Sequence, residues 1–479
     1  MRPTLLAAAL IALAPLAEAA LPESVAARIA AAGIPDSAVG AIVLKGGQVV
    51  LEHNARQPLQ PASTMKLVTT MVALDTFGPV FRFRTELRSN AEIVGSTLKG
   101  DLYIKGGADW DLDLAALESM LQSLRNQGIR RIDGQLVYDR QLWQPTRYDL
   151  GPAFDEAPEA YYNLIPDALL VNHNMLEIDM RSTASRLNLA LAPALEGVSI
   201  GHDMELVTAD CAKWENGWKI PTVKEAWTGK QKITLHGSFP KNCARSYGIN
   251  VLDHQAYADH AVRGLWRRLG GSIKGESIEG RTPEDAKLLA AHRSRVLPEL
   301  LRDTNKDSDN ALARLLYLSL GSLAPDPVLG SKPLPASEQS TPERAERAIR
   351  AWFQAHGIDD SGMVLENGSG LSRNERLSVA QLAAILQEGQ RSLWAPEFLT
   401  SLPIAGVDGT LKRRLGESAA AQRARMKTGT LRNTVGLAGY VPDTKGEPQI
   451  VVMIVNDDKV GNGVGRAILD SLADWAARQ

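Results

Sequence analysis

The spacing of hydrophobic residues near the N-terminal end predicts a β-hairpin followed by a helix. Residues 39–44 form an apolar run, Gly46 and Gly47 mark a turn, and residues 48–52 have the pattern of a return strand. From Pro61, a residue suited to the first turn of a helix, apolar side chains recur at helix-compatible intervals.

The C-terminal end has the same character. Strand-like segments occupy residues 425–430, 435–441 and 450–455, and the third is apolar on both faces, which predicts a central place in a sheet. A closing helix is predicted from an apolar stripe, namely Val464, Ile468, Leu472 and Trp475. We expect the two early and three late strands to form one antiparallel sheet with helices against it.

The middle of the chain has the pattern of a long insertion into that domain. Between residues 85 and 285, strand-like runs such as residues 102–105 alternate with turn signals and with an amphipathic helix around residues 114–124. The Pro- and Ser-rich stretch at residues 324–342 is expected to be a surface loop.

Residues 1–19 have the pattern of a secretory signal peptide. Arg2 supplies a positive end, residues 5–16 form a short apolar stretch, and Ala17 and Ala19 are the small residues that a signal peptidase reads. No later segment has the ~18 uninterrupted apolar residues of a membrane span. We therefore expect cleavage near Ala19, no transmembrane anchor and residence outside the cytoplasm, which is the periplasm if the cell is Gram-negative. A buried N-terminal helix is the alternative, which Pro15 disfavours.

Composition and charge narrow the range of partners. The 479 residues suggest two or three domains, and a net charge of -2 from 53 basic and 55 acidic residues argues against a nucleic-acid partner. The eight histidines show no ligand-like spacing, so we predict no metal and no other cofactor. Cys211 and Cys243 either form a disulfide or remain two buried thiols, and the sequence leaves both open.

Three short motifs carry the candidate chemistry. Residues 63–66 fit the pattern Ser-x-x-Lys, residues 308–310 are Ser-Asp-Asn, and residues 427–429 are Lys-Thr-Gly, followed by Thr430. Each motif is weak alone, because Ser-x-x-Lys is expected by chance more than once in a chain of this length. Their order and the export signal together give them weight.

The first motif has the composition of a nucleophile beside its base. Spacing i, i+3 on a helix places the hydroxyl of Ser63 and the amine of Lys66 on one face. A serine needs a base to become a nucleophile, and an ordinary lysine is protonated near neutrality. Burial and a second cation such as Lys427 would favour the neutral amine. We predict Ser63 as the nucleophile and Lys66 as the base.

The other two motifs are predicted to complete the site. In an extended segment, Ser308 and Asn310 would face the same way, so that Ser308 relays a proton to the leaving amine while Asn310 holds a substrate amide or Lys66. Asp309 would point elsewhere and hold its loop. The alternative is an ordinary turn that contains these three residue types.

The Lys-Thr-Gly motif lies on a predicted strand. Lys427 and the hydroxyls of Thr428 and Thr430 are suited to a free carboxylate, and Gly429 would let a substrate strand approach the backbone. The backbone N–H groups of Ser63 and Thr430 are the predicted oxyanion donors. The alternative is a solvated lysine in a turn.

Together with these motifs, further segments resemble one protein family. The chain is similar to class-C low-molecular-mass penicillin-binding proteins, the D-alanyl-D-alanine carboxypeptidase/endopeptidase family, over nearly its whole length after the leader. The supporting segments are Pro61-Ala62, Tyr138-Asp139, Asn172-His173-Asn174, residues 367–373 (NGSGLSR), residues 402–406 (LPIAG) and residues 408–411 (DGTL). The family often has Asp where this chain has Asn367, so that position receives no catalytic role.

The resemblance implies a fold and an activity. The expected fold class is α+β, a penicillin-binding transpeptidase-like (β-lactamase-like) domain with an antiparallel sheet and helices on both faces, split by a large inserted α/β region. The expected domains are residues 20–84 with 286–479 as the catalytic domain, and residues 85–285 as the insertion, made of two small domains. The expected partners are peptidoglycan stem peptides and cross-links as substrates and β-lactam antibiotics as covalent inhibitors, and a homodimer is left open.

Two other functions are weighed against this one. A β-lactamase-type hydrolase would share the motifs but needs a device for fast deacylation, and no deacylating glutamate is identifiable. A non-catalytic envelope protein that binds peptidoglycan would be expected to have damaged motifs, and these are complete. Asp155 is a candidate contact for a cationic group of the stem peptide, although a solvated carboxylate is the favoured interpretation.

Overall fold

The computed structural model describes residues 20–148, 153–226 and 229–479. The predicted signal peptide, residues 1–19, lies outside the described residues. Within the described ranges, no helix is both long enough and apolar enough to cross a bilayer.

The described part of the chain contains helices of 7 to 15 residues. In chain order they are α1 Glu23–Ala32, α2 Lys66–Phe77, α3 Leu114–Asn126, α4 His254–Arg268, α5 Leu297–Lys306, α6 Asn310–Leu320, α7 Thr341–Ala355, α8 Val379–Arg391, α9 Ala395–Ser401 and α10 Val464–Ala477. Single turns of 3-10 helix occur as well, and two of them, Ala62–Met65 and Tyr161–Asn163, belong to the site described below.

The strands fall into several sheets. In chain order they are β1 Val39–Lys45, β2 Gln48–His53, β3 Arg84–Ser89, β4 Ile93–Val94, β5 Thr97–Leu98, β6 Leu102–Gly107, β7 Arg131–Ile132, β8 Leu136–Asp139, β9 Leu176–Ser182, β10 Leu187–Ala192, β11 Val198–His202, β12 Glu205–Val207, β13 Trp218–Glu225, β14 Gln231–Pro240, β15 Ala244–Ile249, β16 Ser272–Ile273, β17 Ser277–Glu279, β18 Lys287–Arg293, β19 Leu323–Asp326, β20 Gly330–Pro333, β21 Arg425–Leu431, β22 Thr434–Pro442 and β23 Pro448–Asn456.

The two ends of the chain form one five-stranded antiparallel sheet, as predicted. Its order is β2-β1-β23-β22-β21. Strand β23, the segment that is apolar on both faces, lies at the centre of this sheet, which confirms the prediction from its pattern. Strand β21, which carries the Lys-Thr-Gly motif, is an edge strand and so leaves one side open beside the nucleophile.

Alternate residues of this sheet supply two separate cores. Val451 and Met453 pack in a core that includes residues of α1 and α10, whereas Ile450 and Val452 pack in a larger core that includes α2, α6 and α8. Because strand side chains alternate between faces, two apolar faces require a helical layer on each side. The predicted fold class, an antiparallel sheet with helices on both faces, is confirmed.

The inserted residues have a core of their own. It is built mainly from β-strands and from α3 and α4, with Tyr257 and Trp266 among its largest members. Cys211 and Cys243 are joined by a disulfide within this region, with Cα atoms 5.5 Å apart, so the bridged alternative is the one that the structure contains.

The proposed domain border at residues 285/286 falls beside β18. This strand lies on the catalytic side of that border, yet it pairs along its length with β3, and β3 pairs with β6 of the insertion. We propose that β18 be grouped with the inserted strands, so that the second crossing between the domains lies just before α5.

One local prediction is wrong, and a second, the apolar stripe of the closing helix, is confirmed for Ile468 and Leu472 only. Residues 324–342 are not simply a loop, because β19 and β20 form a hairpin there and α7 begins at Thr341. In α10, Val464 is exposed and Trp475 only half-buried, and the buried stripe also includes Leu469 and Ala473. The buried face of the helix includes small residues such as Ala473, which the predicted stripe of larger apolar residues left out.

Candidate active site

The nucleophile candidate lies on a constrained turn. Ser63 belongs to the 3-10 turn Ala62–Met65, which leads directly into α2. Ala62 has φ of 46°, in the left-handed region that a residue with a Cβ adopts only when its surroundings enforce it. Gly370 packs so closely against this turn that a Cβ there would collide with the carbonyl oxygen of Ala62. The position of Ser63 is therefore fixed by contacts from a distant segment.

Lys66 is fully buried and makes three polar contacts. Its Nζ lies 3.0 Å from Oγ of Ser63, 2.7 Å from Oδ1 of Asn310 and 2.6 Å from the carbonyl oxygen of Ser369. The last two partners are carbonyl-type oxygens, which only accept hydrogen bonds. A neutral amine would donate its two hydrogens to them, and its lone pair would then be left for the proton of the Ser63 hydroxyl.

The electrostatic environment favours this neutral form. Burial lowers the pKa of Lys66 to about 7, against the raising effect of Asp309 and Glu375 and with a smaller lowering from Arg314. Besides Arg314, the predicted second cation, Lys427, interacts with Lys66, because repulsion between two like charges acts on both partners. Lys427 is itself buried, and burial, followed by the charge of Lys66, lowers its pKa well below the ordinary value.

The Ser-Asp-Asn motif reaches the site by a different geometry from the one expected. Ser308 has φ of 61°, Asp309 caps α6, and Asn310 is the first residue of that helix, so the segment is not extended. Asp309 accepts a hydrogen bond from the backbone N–H of Leu312 at 2.9 Å, which confirms its expected structural role. The left-handed turn at Ser308 brings Ser308 and Asn310 to the same side.

The Lys-Thr-Gly motif joins the same cluster. Lys427 donates to Oγ of Ser308 at 2.9 Å and to the carbonyl oxygen of Thr428 at 2.8 Å. Thr428 donates to Oγ1 of Thr410 at 2.8 Å, while Thr430 is exposed at the rim. The three motifs, far apart in sequence, therefore form two neighbouring hydrogen-bonded groups, one of Ser63, Lys66 and Asn310 and the other of Ser308 and Lys427.

Gly429 has a use in addition to the predicted one. A Cβ at this position would lie 2.9 Å from the carbonyl oxygen of Pro61 and 3.2 Å from the backbone nitrogen of Ser63. The missing side chain thus gives space to the turn that carries the nucleophile, not only to a substrate strand. Thr430 and Ser63 both line the open cleft, and their role as oxyanion donors stays a prediction.

A loop that received no role in the sequence analysis completes the environment of Lys66. The fully buried carboxylate of Glu375 accepts four backbone N–H bonds, from Glu366, Asn367, Gly368 and Gly370. This carboxylate holds the loop whose Ser369 carbonyl accepts from Lys66. The motif at residues 367–373 was visible in the sequence, but a backbone carbonyl has no sequence signature.

The insertion also contacts the catalytic motifs directly. The hydroxyl of Tyr161 donates to Oδ2 of Asp309 at 2.6 Å, and Nδ2 of Asn310 donates to the carbonyl oxygen of Tyr162 at 3.1 Å. The second contact turns the Oδ1 of Asn310 toward Lys66. Nothing in the sequence pattern pointed to these two tyrosines.

The motifs open into a cleft of about 1430 Å³, lined by Ser63, Asn310 and Thr430 on one side and by inserted residues on the other. Asp155 lines this cleft and accepts from Ala157, Tyr162 and Asn163 at 3.1, 2.9 and 2.6 Å. Burial raises its pKa, but these hydrogen bonds and the charge of Arg373 outweigh burial and leave the pKa below its ordinary value. Asp155 is therefore a carboxylate fixed by hydrogen bonds at the wall of the cleft, and it is not freely solvated.

Two other segments match the Ser-x-x-Lys pattern but lie away from the catalytic cleft. Lys99, three residues after Ser96, forms an ion pair at the surface with Asp133. Ser238 and Lys241 lie at the end of strand β14. Among the described residues, no group of three or more His, Cys, Asp or Glu side chains is placed to hold a metal ion.

The sequence is similar to known peptidases over most of its length. It is 27% identical over 421 residues to D-alanyl-D-alanine carboxypeptidase DacB of Haemophilus influenzae, covering 87% of this chain and 84% of that protein. It is 29% identical over 455 residues to the D-alanyl-D-alanine carboxypeptidase of Actinomadura sp. (strain R39), covering 90% and 80%.

The fold is likewise shared with a solved structure. Penicillin-binding protein 4 (dacB) of Haemophilus influenzae aligns with a TM-score of 0.79 and 22% identity over 95% of this chain and 99% of that one. The same protein complexed with a β-lactam aligns with a TM-score of 0.73. Residues 21–479 match one family throughout. The chain belongs to the D-Ala-D-Ala carboxypeptidase 3 (S13) family.

Proposed function

We propose that this protein is a serine-type D-Ala-D-Ala carboxypeptidase and endopeptidase that cleaves peptidoglycan stem peptides and cross-links through an acyl-enzyme on Ser63. One observation carries the proposal: a buried Lys66, with a pKa lowered to about 7, has its Nζ 3.0 Å from the Ser63 hydroxyl. Family membership supports the substrate class.

In the acylation step, Lys66 removes the proton as the Ser63 oxygen attacks the carbonyl carbon between the two D-alanines. Donation from Lys66 to Asn310 and to the Ser369 carbonyl keeps its lone pair directed at the hydroxyl. The backbone N–H groups of Ser63 and Thr430 stabilise the negative charge that develops on the carbonyl oxygen.

The attack produces a tetrahedral intermediate. When this intermediate collapses, its C–N bond breaks and the leaving D-alanine amine needs a proton. The proton that Lys66 took from Ser63 passes to this amine, relayed by the Ser308 hydroxyl, which accepts from Lys427 at 2.9 Å and can itself donate; Lys66 is thereby returned to its neutral form. Water then attacks the ester, with Lys66 again as the base, and releases Ser63 and the shortened peptide.

The Lys-Thr-Gly strand recognises the free carboxylate of the terminal D-alanine. The Thr428 hydroxyl is held by Thr410, and Thr430 is exposed at the rim, while the buried amine of Lys427 lies behind them. A bound carboxylate would favour the protonated form of this amine. Hydroxyl donors backed by a cation are suited to a carboxylate. A cross-linked peptide, whose leaving group is larger, has room in the open cleft.

Penicillins are expected to acylate the same serine, since they present a reactive carbonyl and a carboxylate. The Haemophilus influenzae relative, which has the same fold, has been solved in complex with a β-lactam. Export to the periplasm after cleavage near Ala19 fits a substrate outside the cytoplasm, and homodimer formation stays a prediction that light scattering on the cleaved protein would test.

The test is release of D-alanine from diacetyl-L-lysyl-D-alanyl-D-alanine and of the separated monomers from a cross-linked muropeptide. Ser63→Ala is expected to abolish both, whereas Ser96→Ala, in the surface Ser-x-x-Lys match, is the control that leaves both unchanged. Release by Ser63→Ala at the rate of the unmodified protein would overturn the mechanism. Rapid turnover of penicillin without D-alanine release would favour a β-lactamase, and no turnover of either substrate would favour a binding protein.

A further inference from the structure

Arg314 is a partly buried cation that makes few hydrogen bonds to the described residues. It lies four residues after Asn310, on the same face of α6. Its only hydrogen bond in the described part of the chain is a long one, from Nη1 to the carbonyl oxygen of Leu164 at 3.5 Å, and its buried Nε has no partner there. A guanidinium stays protonated and carries five N–H donors. Such an unsatisfied buried group calls for a ligand.

No carboxylate among the described residues neutralises this charge by direct contact. Glu375 and Glu366 are close enough to raise the pKa of Arg314, but burial outweighs them, and neither forms an ion pair with it among the described residues. The oxygens of Glu366 accept from Ser372 and Asn374, and those of Glu375 from backbone N–H groups. The charge of Arg314 therefore extends as far as Lys66, whose pKa it lowers.

Arg314 lines a cavity of about 500 Å³ next to the catalytic cleft. This volume lies within the usual range of small-molecule sites. Most of its walls are apolar and come from both domains, including Phe154, Ile165, Leu318 and Leu371. Among the described residues, its charged lining consists of Arg314, Arg373 and the already engaged Glu366, which favours an anion.

A side-chain partition separates this cavity from the cleft. The guanidinium of Arg373 lies 5.4 Å from the ring centroid of Phe154, and its Nη2 donates to the carbonyl oxygen of Phe154 at 3.3 Å. Both residues line the cavity on one side and the catalytic cleft on the other. The cavity is thus a compartment of its own, behind the place where the peptide is cleaved.

We propose that this cavity is a second binding site, which takes a small amphipathic carboxylate. The carboxylate pairs with the free N–H groups of Arg314, and an apolar or aromatic body packs against Phe154, Ile165 and Leu318. This site goes beyond the peptidase function and does not require Ser63.

Calorimetric titration of the full-length protein with 2-naphthoate tests the proposal, with 2-naphthamide as the matched neutral probe. A single saturable site is expected for naphthoate, and about 10-fold weaker binding of the amide, since a charge-assisted bond is lost. Arg314→Gln is expected to weaken naphthoate binding by a similar factor. Arg347→Gln, on the exposed face of α7, and Ser63→Ala should bind as the unmodified protein does.

A second variant keeps the test independent of folding at Arg314. Ile165→Trp fills the cavity while retaining the guanidinium, and it is expected to abolish binding. Absence of saturable binding to the unmodified protein, equal binding to Arg314→Gln and the unmodified protein, or displacement by diacetyl-L-lysyl-D-alanyl-D-alanine would overturn the proposal. Because calorimetry needs no turnover, a failure of the peptidase mechanism would leave these outcomes unaffected.

Discussion

At the scale of single residues, the chemistry depends on how one amine is surrounded. Lys66 is buried, yet each of its three partners is an oxygen at 2.6 to 3.0 Å. Burial without hydrogen bonds would cost stability, and burial with a paired carboxylate would keep the amine charged. The structure instead supplies neutral acceptors, which satisfy the amine while leaving it basic near neutral pH.

The rate of acylation should therefore follow the neutral fraction of Lys66. Its pKa is lowered to about 7, so the rate is expected to rise with pH, from about a tenth of its maximum at pH 6 to about nine tenths at pH 8. Stopped-flow measurement of acylation by a fluorescent penicillin gives this profile. A midpoint near pH 10 would show that the lysine keeps its ordinary pKa and is not the base.

Replacement of the base should affect the rate far more than replacement of its neighbour. Lys66→Met is expected to slow acylation by about 10²- to 10⁴-fold, the usual contribution of a general base. Asp309→Asn should lose much less, because asparagine also caps a helix. Thermal unfolding of both variants controls for folding, and equal losses in rate would contradict the assigned roles.

The sequence predicted the residues of this site better than their surroundings. The i, i+3 spacing was enough to pair Ser63 with Lys66, because helix geometry fixes that distance. It was not enough for Ser369, whose contact with Lys66 is made by a backbone carbonyl 303 positions away. Contacts of that kind depend on the tertiary fold and leave no mark on residue type.

At the scale of elements, the N-terminus of α6 is the junction of the site. It places Asn310 against Lys66, and the left-handed turn before it places Ser308 against Lys427. An extended segment was expected here because i and i+2 then share a face. The structure brings both side chains to the site by a helix start and a residue with positive φ, which no periodic pattern predicts.

The short turn Tyr161–Asn163 of the insertion should act as a positioning element. Tyr161→Phe removes the hydrogen bond to Asp309 and is expected to slow acylation about 3- to 10-fold, because only part of the roughly 1.5–3 kcal/mol of such a bond to a charged group acts on the reaction. It should also move the midpoint of the pH profile upward, since a less neutralised Asp309 raises the pKa of Lys66 further.

Tyr162→Phe is the matched control for this prediction. Its hydroxyl meets Asp155 rather than the catalytic motifs, and its carbonyl still holds Asn310. The midpoint of its pH profile should match that of the unmodified protein. Identical pH midpoints for Tyr161→Phe and the unmodified protein would argue for a merely structural role of Tyr161.

The loop before strand β21 is expected to support carboxylate recognition. Thr410→Val removes the hydroxyl that holds Thr428 and should raise KM for diacetyl-L-lysyl-D-alanyl-D-alanine several-fold while changing kcat little. Steady-state D-alanine release measures both constants. A fall in kcat with KM unchanged would place Thr410 in the chemical step instead.

At the scale of the whole molecule, the chain ends build the catalytic sheet and the insertion supplies the facing wall of the cleft. The sequence predicted the shared sheet because its strands are strongly apolar. It did not predict how the insertion docks, since that interface is made of scattered contacts such as those of Tyr161 and Phe154. The insertion therefore forms part of the active site in addition to interrupting the catalytic domain in sequence.

The disulfide should stabilise the insertion without taking part in catalysis. Cys211→Ser with Cys243→Ser is expected to lower the free energy of unfolding by about 2–4 kcal/mol, because the unfolded loop is no longer closed. Urea unfolding measures the loss, and acylation at 25 °C should be retained. A large fall in acylation rate with unchanged stability would contradict this division of roles.

The most direct test of the central claim is to find the residue that becomes acylated. After incubation with benzylpenicillin and proteolysis, mass spectrometry should place the adduct on the peptide that contains Ser63 and no adduct on those with Ser96 or Ser238. The Ser63→Ala variant, folded as judged by its thermal unfolding, should carry none. An adduct on another residue, or an unchanged adduct in Ser63→Ala, would contradict the account.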